Sequence, residues 1–148
     1  MIDASEAQKV LRKASLFGGL NEAAIASIAN FAQTKNYEEG DEIYTLGDAA
    51  LSVYVVVSGR VRFSIGVGNR ASAAQSIMEA GETFGWAALT GEEPRRVATA
   101  SCLEDTTVLT IDGTALTRYF ETDTASGYAV MRQLADRISR DLLAALTT

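Results

Sequence analysis

Glycines at positions 40, 47, 59, 66 and 81 punctuate the middle of the chain, and the residues between them are those of short strands. The stretch 51–58 is rich in Val and Tyr and reads as a buried strand. Val61, Phe63 and Ile65 alternate with Arg62, Ser64 and Gly66, the pattern of a strand with one buried face. Residues 35–39, 42–46, 73–78, 97–102 and 106–111 have the same short-strand texture. Many short strands separated by glycine turns at spacings of roughly 8–12 residues point to a closed all-β sandwich or barrel.

The flanks have a different period. Ala7, Val10, Leu11 and Ala14 recur at helical spacing, which predicts a helix over 4–15. Asn21 before Glu22 and a run of Ala and Ile predicts a capped second helix to about residue 30. Residues 114–121 read as a short helix. Residues 126–146 read as a long amphipathic one, with Met131, Leu134, Ala135, Ile138, Leu142 and Leu146 on one stripe. At 148 residues the order helices, strands, helices fits one domain with one core.

Composition removes whole classes of function. The chain has no His, which takes away His-based triads, His metal sites and the usual general base. Cys102 is its one cysteine, so an intrachain disulfide and four-cysteine metal sites are excluded, and its strand setting suggests a buried thiol. A net charge of −6 disfavours broad binding to nucleic-acid backbones, although a small anion can still bind where positive groups converge. Residues 1–10 lack the apolar run of a signal peptide, and the longest apolar run, 53–57, is of strand length. The expectation is a soluble cytoplasmic protein that is not an enzyme.

One segment interrupts the β texture. Phe84-Gly85 ends a strand, and Trp86 to Leu89 suit one helical turn. The first N–H groups of such a turn are unpaired and partly positive, and the small Ala87 and Ala88 let an anion approach them. Arg95 and Arg96 follow after a short acidic loop, and an arginine beside such a turn binds a phosphate through two N–H groups. The plain alternative is a core-packing turn and a solvated arginine pair that neutralises Glu92 and Glu93.

The ordered series Tyr37-Glu38-Glu39-Gly40-Asp41-Glu42-Ile43-Tyr44, Gly47-Asp48, Tyr54-Val55-Val56, Ser58-Gly59-Arg60-Val61, Phe84-Gly85 and Arg96-Val97-Ala98-Thr99 resembles the cyclic-nucleotide-binding domain family, of the catabolite-activator type, over nearly the whole chain. The resemblance implies an eight-stranded β roll (a jelly roll, or double-stranded β-helix) with N-terminal helices and a long C-terminal helix. In that layout residues 1–32 are the N-terminal helices and 33–112 the roll. The phosphate-binding cassette is 84–99, and 113–148 are the lid and dimer helices. It implies ligand contacts from Phe84, Gly85, Trp86, Ala87, Ala88, Arg95, Arg96, Val97 and Ala98. Arg96 is the preferred phosphate partner, because Ala98 follows it two residues on, and Arg95 is the runner-up. The expected ligand is a cyclic nucleotide such as cAMP, or another small phosphate, with no further cofactor.

One position departs from the family pattern. A Glu that takes the ribose 2′-hydroxyl stands after the glycine in the family, and here that position is Trp86. An indole has one donor and no acceptor, and a lost hydroxyl partner costs on the order of 1–3 kcal/mol. The indole either stacks on a ligand base or plugs the sugar slot. The resemblance therefore implies a sensory module, bacterial in type, that signals by movement of its last helix. The alternative is a degenerate domain, with Trp86 in the ribose slot, acting as a dimerisation scaffold through 126–146. Transcription factors of the family carry a DNA-reading domain beyond that helix, and the sequence here runs only to Thr148. No direct DNA binding is expected of this domain.

Overall fold

The computed structural model describes residues 4–64 and 77–147. Helices α1 (Ala4–Lys13) and α2 (Glu22–Ala29) come first. Eight strands follow: β1 (Ala32–Tyr37), β2 (Glu42–Tyr44), β3 (Ser52–Ser58), β4 (Val61–Ser64), β5 (Ile77–Met78), β6 (Thr83–Phe84), β7 (Thr99–Cys102) and β8 (Thr106–Asp112). A one-turn helix, Trp86–Leu89, interrupts the strands between β6 and β7. Helices α3 (Gly113–Thr122) and α4 (Thr124–Leu146) close the chain. The strands form two antiparallel sheets, in the orders β1-β8-β3-β6 and β2-β7-β4-β5. This is the eight-stranded β roll with flanking helices that the family resemblance implied.

Strand alternation divides the core in two. On β3 and β8, Val53, Val55, Leu109 and Ile111 face outward and pack under the helices with Leu11, Phe17, Ile25, Ile28, Leu116 and Val130. The opposite faces supply Val56 and Val108 to a second cluster between the sheets, with Val61, Met78, Phe84 and Ala100. Tyr37, Ile43, Tyr44, Tyr54 and Phe63 pack against this inner cluster. Side chains one residue apart on a strand point to opposite faces, which is why Tyr54 goes inside between two valines that go out. Cys102 is buried as a free thiol, and burial pushes it above its ordinary range.

Several element ends differ from the sequence expectation, each for a local reason. Strand β1 starts at Ala32, where pairing with Ile111 begins, and stops at Tyr37, because the Asp41 carboxylate accepts from Glu38 N and turns the chain. Strand β2 stops at Tyr44 rather than 46, because Asp48 accepts from Thr45 N. Strand β7 starts at Thr99 rather than 97, since Arg96 bonds instead to the 47–48 turn. Helix α4 starts two residues early because Asp123 caps it through Ser126 N. The expected strand residues Ile65 and 73–76 and the 66–70 loop lie outside the described residues.

Helix α4 also corrects the expected stripe. Val130, Leu134 and Ile138, at i, i+4 and i+8, face the outer cluster, while Met131, Ala135, Leu142 and Leu146 are exposed. Further along, Arg137 donates to the Thr83 carbonyl at 3.2 Å and contacts Met78 Sδ at 3.2 Å. From the other end of the chain, Ser15 donates its N–H to Gly81 O at 2.9 Å, and its hydroxyl accepts from Thr83 N at 3.1 Å.

Candidate functional site

The cassette begins where β6 ends. Gly85 has φ 77° and ψ 24°, a left-handed setting that only glycine adopts without strain. A Cβ at Gly85 would lie 2.9 Å from Tyr54 Cδ2, 3.1 Å from Arg96 Nη1 and 3.2 Å from Ser52 O, so the space is closed as well. The bend starts the turn Trp86–Leu89, which Thr90 ends by donating its N–H and its hydroxyl to Ala87 O. Ala87 is buried and Ala88 half-buried against the start of α3, where a Cβ on Gly113 would meet Ala88 O at 3.0 Å.

The arginine pair is separated by strand geometry. Residues 94–96 run extended beside the 47–50 turn: Ala50 N donates to Pro94 O, Arg96 N to Asp48 O, and Gly47 N to Arg96 O, at 2.8–2.9 Å. Alternation then points Arg95 and Val97 outward and Arg96 and Ala98 inward. Arg95 is exposed and Val97 is 56% exposed, whereas Arg96 is 4% exposed. Gly85 and Arg96 are thus brought together, and Arg95 and Val97 stand apart from them.

Arg96 Nη1 donates to Gly85 O at 2.9 Å and Nη2 to Ser52 O at 2.7 Å. Its Cζ lies 4.0 Å from the Tyr44 ring centroid and 5.6 Å from that of Tyr54. None of the ion pairs formed among the described residues includes Arg96, and its buried Nε has no partner among them. A buried charge ordinarily meets a counter-charge, because desolvation of an unpaired ion costs several kcal/mol. Here a guanidinium is held by carbonyl dipoles and ring faces, with no carboxylate.

The rings beside it form one group. Tyr54 stacks on Phe84 with centroids 5.0 Å apart, and Tyr44 and Phe63 lie 6.2 Å and 5.5 Å from Phe84. Burial raises the phenols of Tyr44 and Tyr54 above their ordinary values, against the opposing pull of Arg96, so both are neutral donors near neutral pH. Trp86 is not in this group. Its half-buried indole packs on the outer cluster beneath the helices. The rings beside Arg96 are those of Tyr44 and Tyr54, and the Trp86 indole lies on the other side of the turn.

Tyr44, Tyr54 and the Ser52 carbonyl were not among the residues expected at the site. The available signal was alternation: both tyrosines take inward positions on β2 and β3. With no His in the chain and no carboxylate paired with the guanidinium among the described residues, the arrangement suits binding of an anion rather than proton transfer.

Residues 34–123 match the family model for the cyclic nucleotide-binding domain, and the chain belongs to that family. The CRP-like cAMP-activated global transcriptional regulator of Mycobacterium tuberculosis is 24% identical over 136 residues, covering 89% of this chain and 58% of the regulator. The catabolite activator protein of Thermus thermophilus superposes with a TM-score of 0.73 at 28% identity, over 90% of this chain and 63% of that one. The regulatory domain of Toxoplasma gondii PKA, crystallised with cAMP, gives a TM-score of 0.70 at 20% identity, over 80% of this chain and 46% of that one. The chain spans little more than half of the mycobacterial regulator. Among the described residues, no helix is long and apolar enough to cross a membrane.

Proposed function

We propose that this domain is a non-catalytic, cytoplasmic regulatory sensor that takes a cyclic nucleotide of the cAMP type, its phosphate on Arg96, and reports occupancy through α4. The observation that carries the reading is the buried Arg96 guanidinium with no carboxylate partner among the described residues. Its two terminal nitrogens already point at two oxygens, Gly85 O and Ser52 O, and a phosphate presents the same pair of acceptors with a full negative charge. The relative crystallised with cAMP supports this choice of ligand. Signalling through α4 has a physical route, because Arg137 on that helix holds the Thr83 carbonyl two residues before Gly85. Isothermal calorimetry with cAMP and cGMP tests the reading. Saturable heat that disappears in Arg96→Leu is expected, and no heat at millimolar ligand rejects it.

A second reading is a closed roll that serves as a dimeric scaffold. The rings of Tyr44, Tyr54 and Phe84 beside Arg96 favour it, as do the apolar residues that α4 exposes, Leu142 at 58%, Leu143 at 63% and Leu146 at 74%. It predicts a dimer by sedimentation that persists in Arg96→Leu and dissociates in Leu142→Glu.

A further inference from the structure

The contact between Tyr44 and Arg96 has a direction. The cassette hangs from β6 in one sheet, and Tyr44 comes from β2 in the other, so the contact of the ring with the guanidinium joins the two sheets. The ring covers one face of the guanidinium at 4.0 Å while the carbonyls of Gly85 and Ser52 take both terminal nitrogens. An anion that needs the same two N–H groups must displace this arrangement.

We infer that Tyr44 is a built-in competitor for Arg96, an autoinhibitory side chain whose ring holds the guanidinium against its backbone acceptors and sets the ligand level at which the roll fills. The inference rests on the anion-binding reading above and adds what opposes binding.

The element that carries Tyr44 suits a gate. Strand β2 has three residues, lies at the edge of its sheet among the described residues, where β7 is its partner strand, and has a register irregularity between Glu42 and Tyr44. Few ladder bonds hold such an edge, so local opening there is less costly than opening a central strand such as β3. The turn that follows is tied at Thr45 N to the Asp48 side chain, at Leu46 N to the Thr99 hydroxyl and at Gly47 N to Arg96 O, so the part free to move is confined to the three residues of β2 and the Tyr44 side chain. Arg96 itself is fixed by its backbone bonds to the 47–48 turn, so the ring rather than the arginine backbone is the part that yields.

A cation–π contact contributes between about twofold and about thirtyfold in an equilibrium, depending on how dry it is, and removal of the ring transfers that factor to the ligand. Titration of cAMP by calorimetry into the wild type, Tyr44→Phe, Tyr44→Leu and Tyr44→Ile reads this factor, with a thermal melt of each variant to show that it is folded. Tyr44→Phe keeps the ring face and binds within about twofold of wild type, while the two aliphatic variants bind roughly tenfold more tightly. Equal or weaker binding by the aliphatic variants overturns the inference and makes Tyr44 a ligand contact or a bystander.

A second measurement needs no nucleotide. Phenylglyoxal labels accessible guanidinium groups, and mass spectrometry reads the label at Arg96. Slow labelling in wild type and Tyr44→Phe and fast labelling in Tyr44→Leu and Tyr44→Ile are expected. Unchanged labelling in the aliphatic variants overturns the gate even where cAMP binds. Faster labelling with no cAMP heat in any protein leaves the gate standing and removes the nucleotide reading instead.

Discussion

At the scale of single residues, Gly85 joins the two halves of the site. Its left-handed backbone aims its carbonyl at Arg96 while Tyr54 closes the space a side chain would need. Gly85→Ala therefore combines backbone strain with a contact of 2.9 Å to the Tyr54 ring. The expected loss is about 2 kcal/mol or more of unfolding free energy, checked by urea denaturation. How far such residues were legible in the sequence differs from one to the next. Gly85 and Arg96 stood out because a glycine, a short turn and an arginine followed one another in one segment. Tyr44 did not, because it lies about 50 residues away from Arg96 in sequence and meets it through the pairing of β2 with β7 and the 47–48 turn. Trp86 follows Gly85 directly, and its place in the sequence carries no mark of the side its ring takes, which is the outer cluster.

At the scale of elements, the helices rest on their caps. Asn21 accepts from Ala24 N at 2.8 Å and starts α2, whose Ile25 and Ile28 are buried in the outer cluster. Asn21→Ala is expected to cost about 1 kcal/mol, read as a lowered urea midpoint with an unchanged slope. Asp123 starts α4, accepting from the Ser126 and Tyr119 hydroxyls at 2.6 Å each and from Ser126 N at 3.2 Å. The Ser126 hydroxyl, then the Tyr119 hydroxyl and the Ser126 amide, hold its carboxyl below the usual aspartate range. A carboxyl with a depressed folded value contributes stability above its unfolded pKa, and that contribution is lost as pH falls through the folded value. Thermal melts from about pH 5 down to about pH 2 should therefore fall less steeply for Asp123→Asn than for wild type. The existence and type of these elements followed from period and capping residues. Their ends did not, because side chains such as Asp41 and Asp48 divert the backbone into turns where strand-like sequence continues.

At the scale of the whole molecule, a ligand that binds only the folded roll raises its melting temperature by mass action. With saturating cyclic nucleotide at about 100 times its Kd, the expected gain is about 2.7 kcal/mol, seen as an upward shift that vanishes in Arg96→Leu. The roll and its helical shell are less separate than their two apolar clusters suggest. Thr83 donates its amide to the Ser15 hydroxyl at the end of α1, and its carbonyl accepts from Arg137 on α4. Thr83 is thus held on both sides, at its N–H by Ser15 just after α1 and at its C=O by Arg137 on α4, and the next residues are Phe84 and Gly85. Displacing either partner strains a hydrogen bond on the residue that leads into Gly85, which gives the proposed sensor a mechanical lever at each flank of the roll.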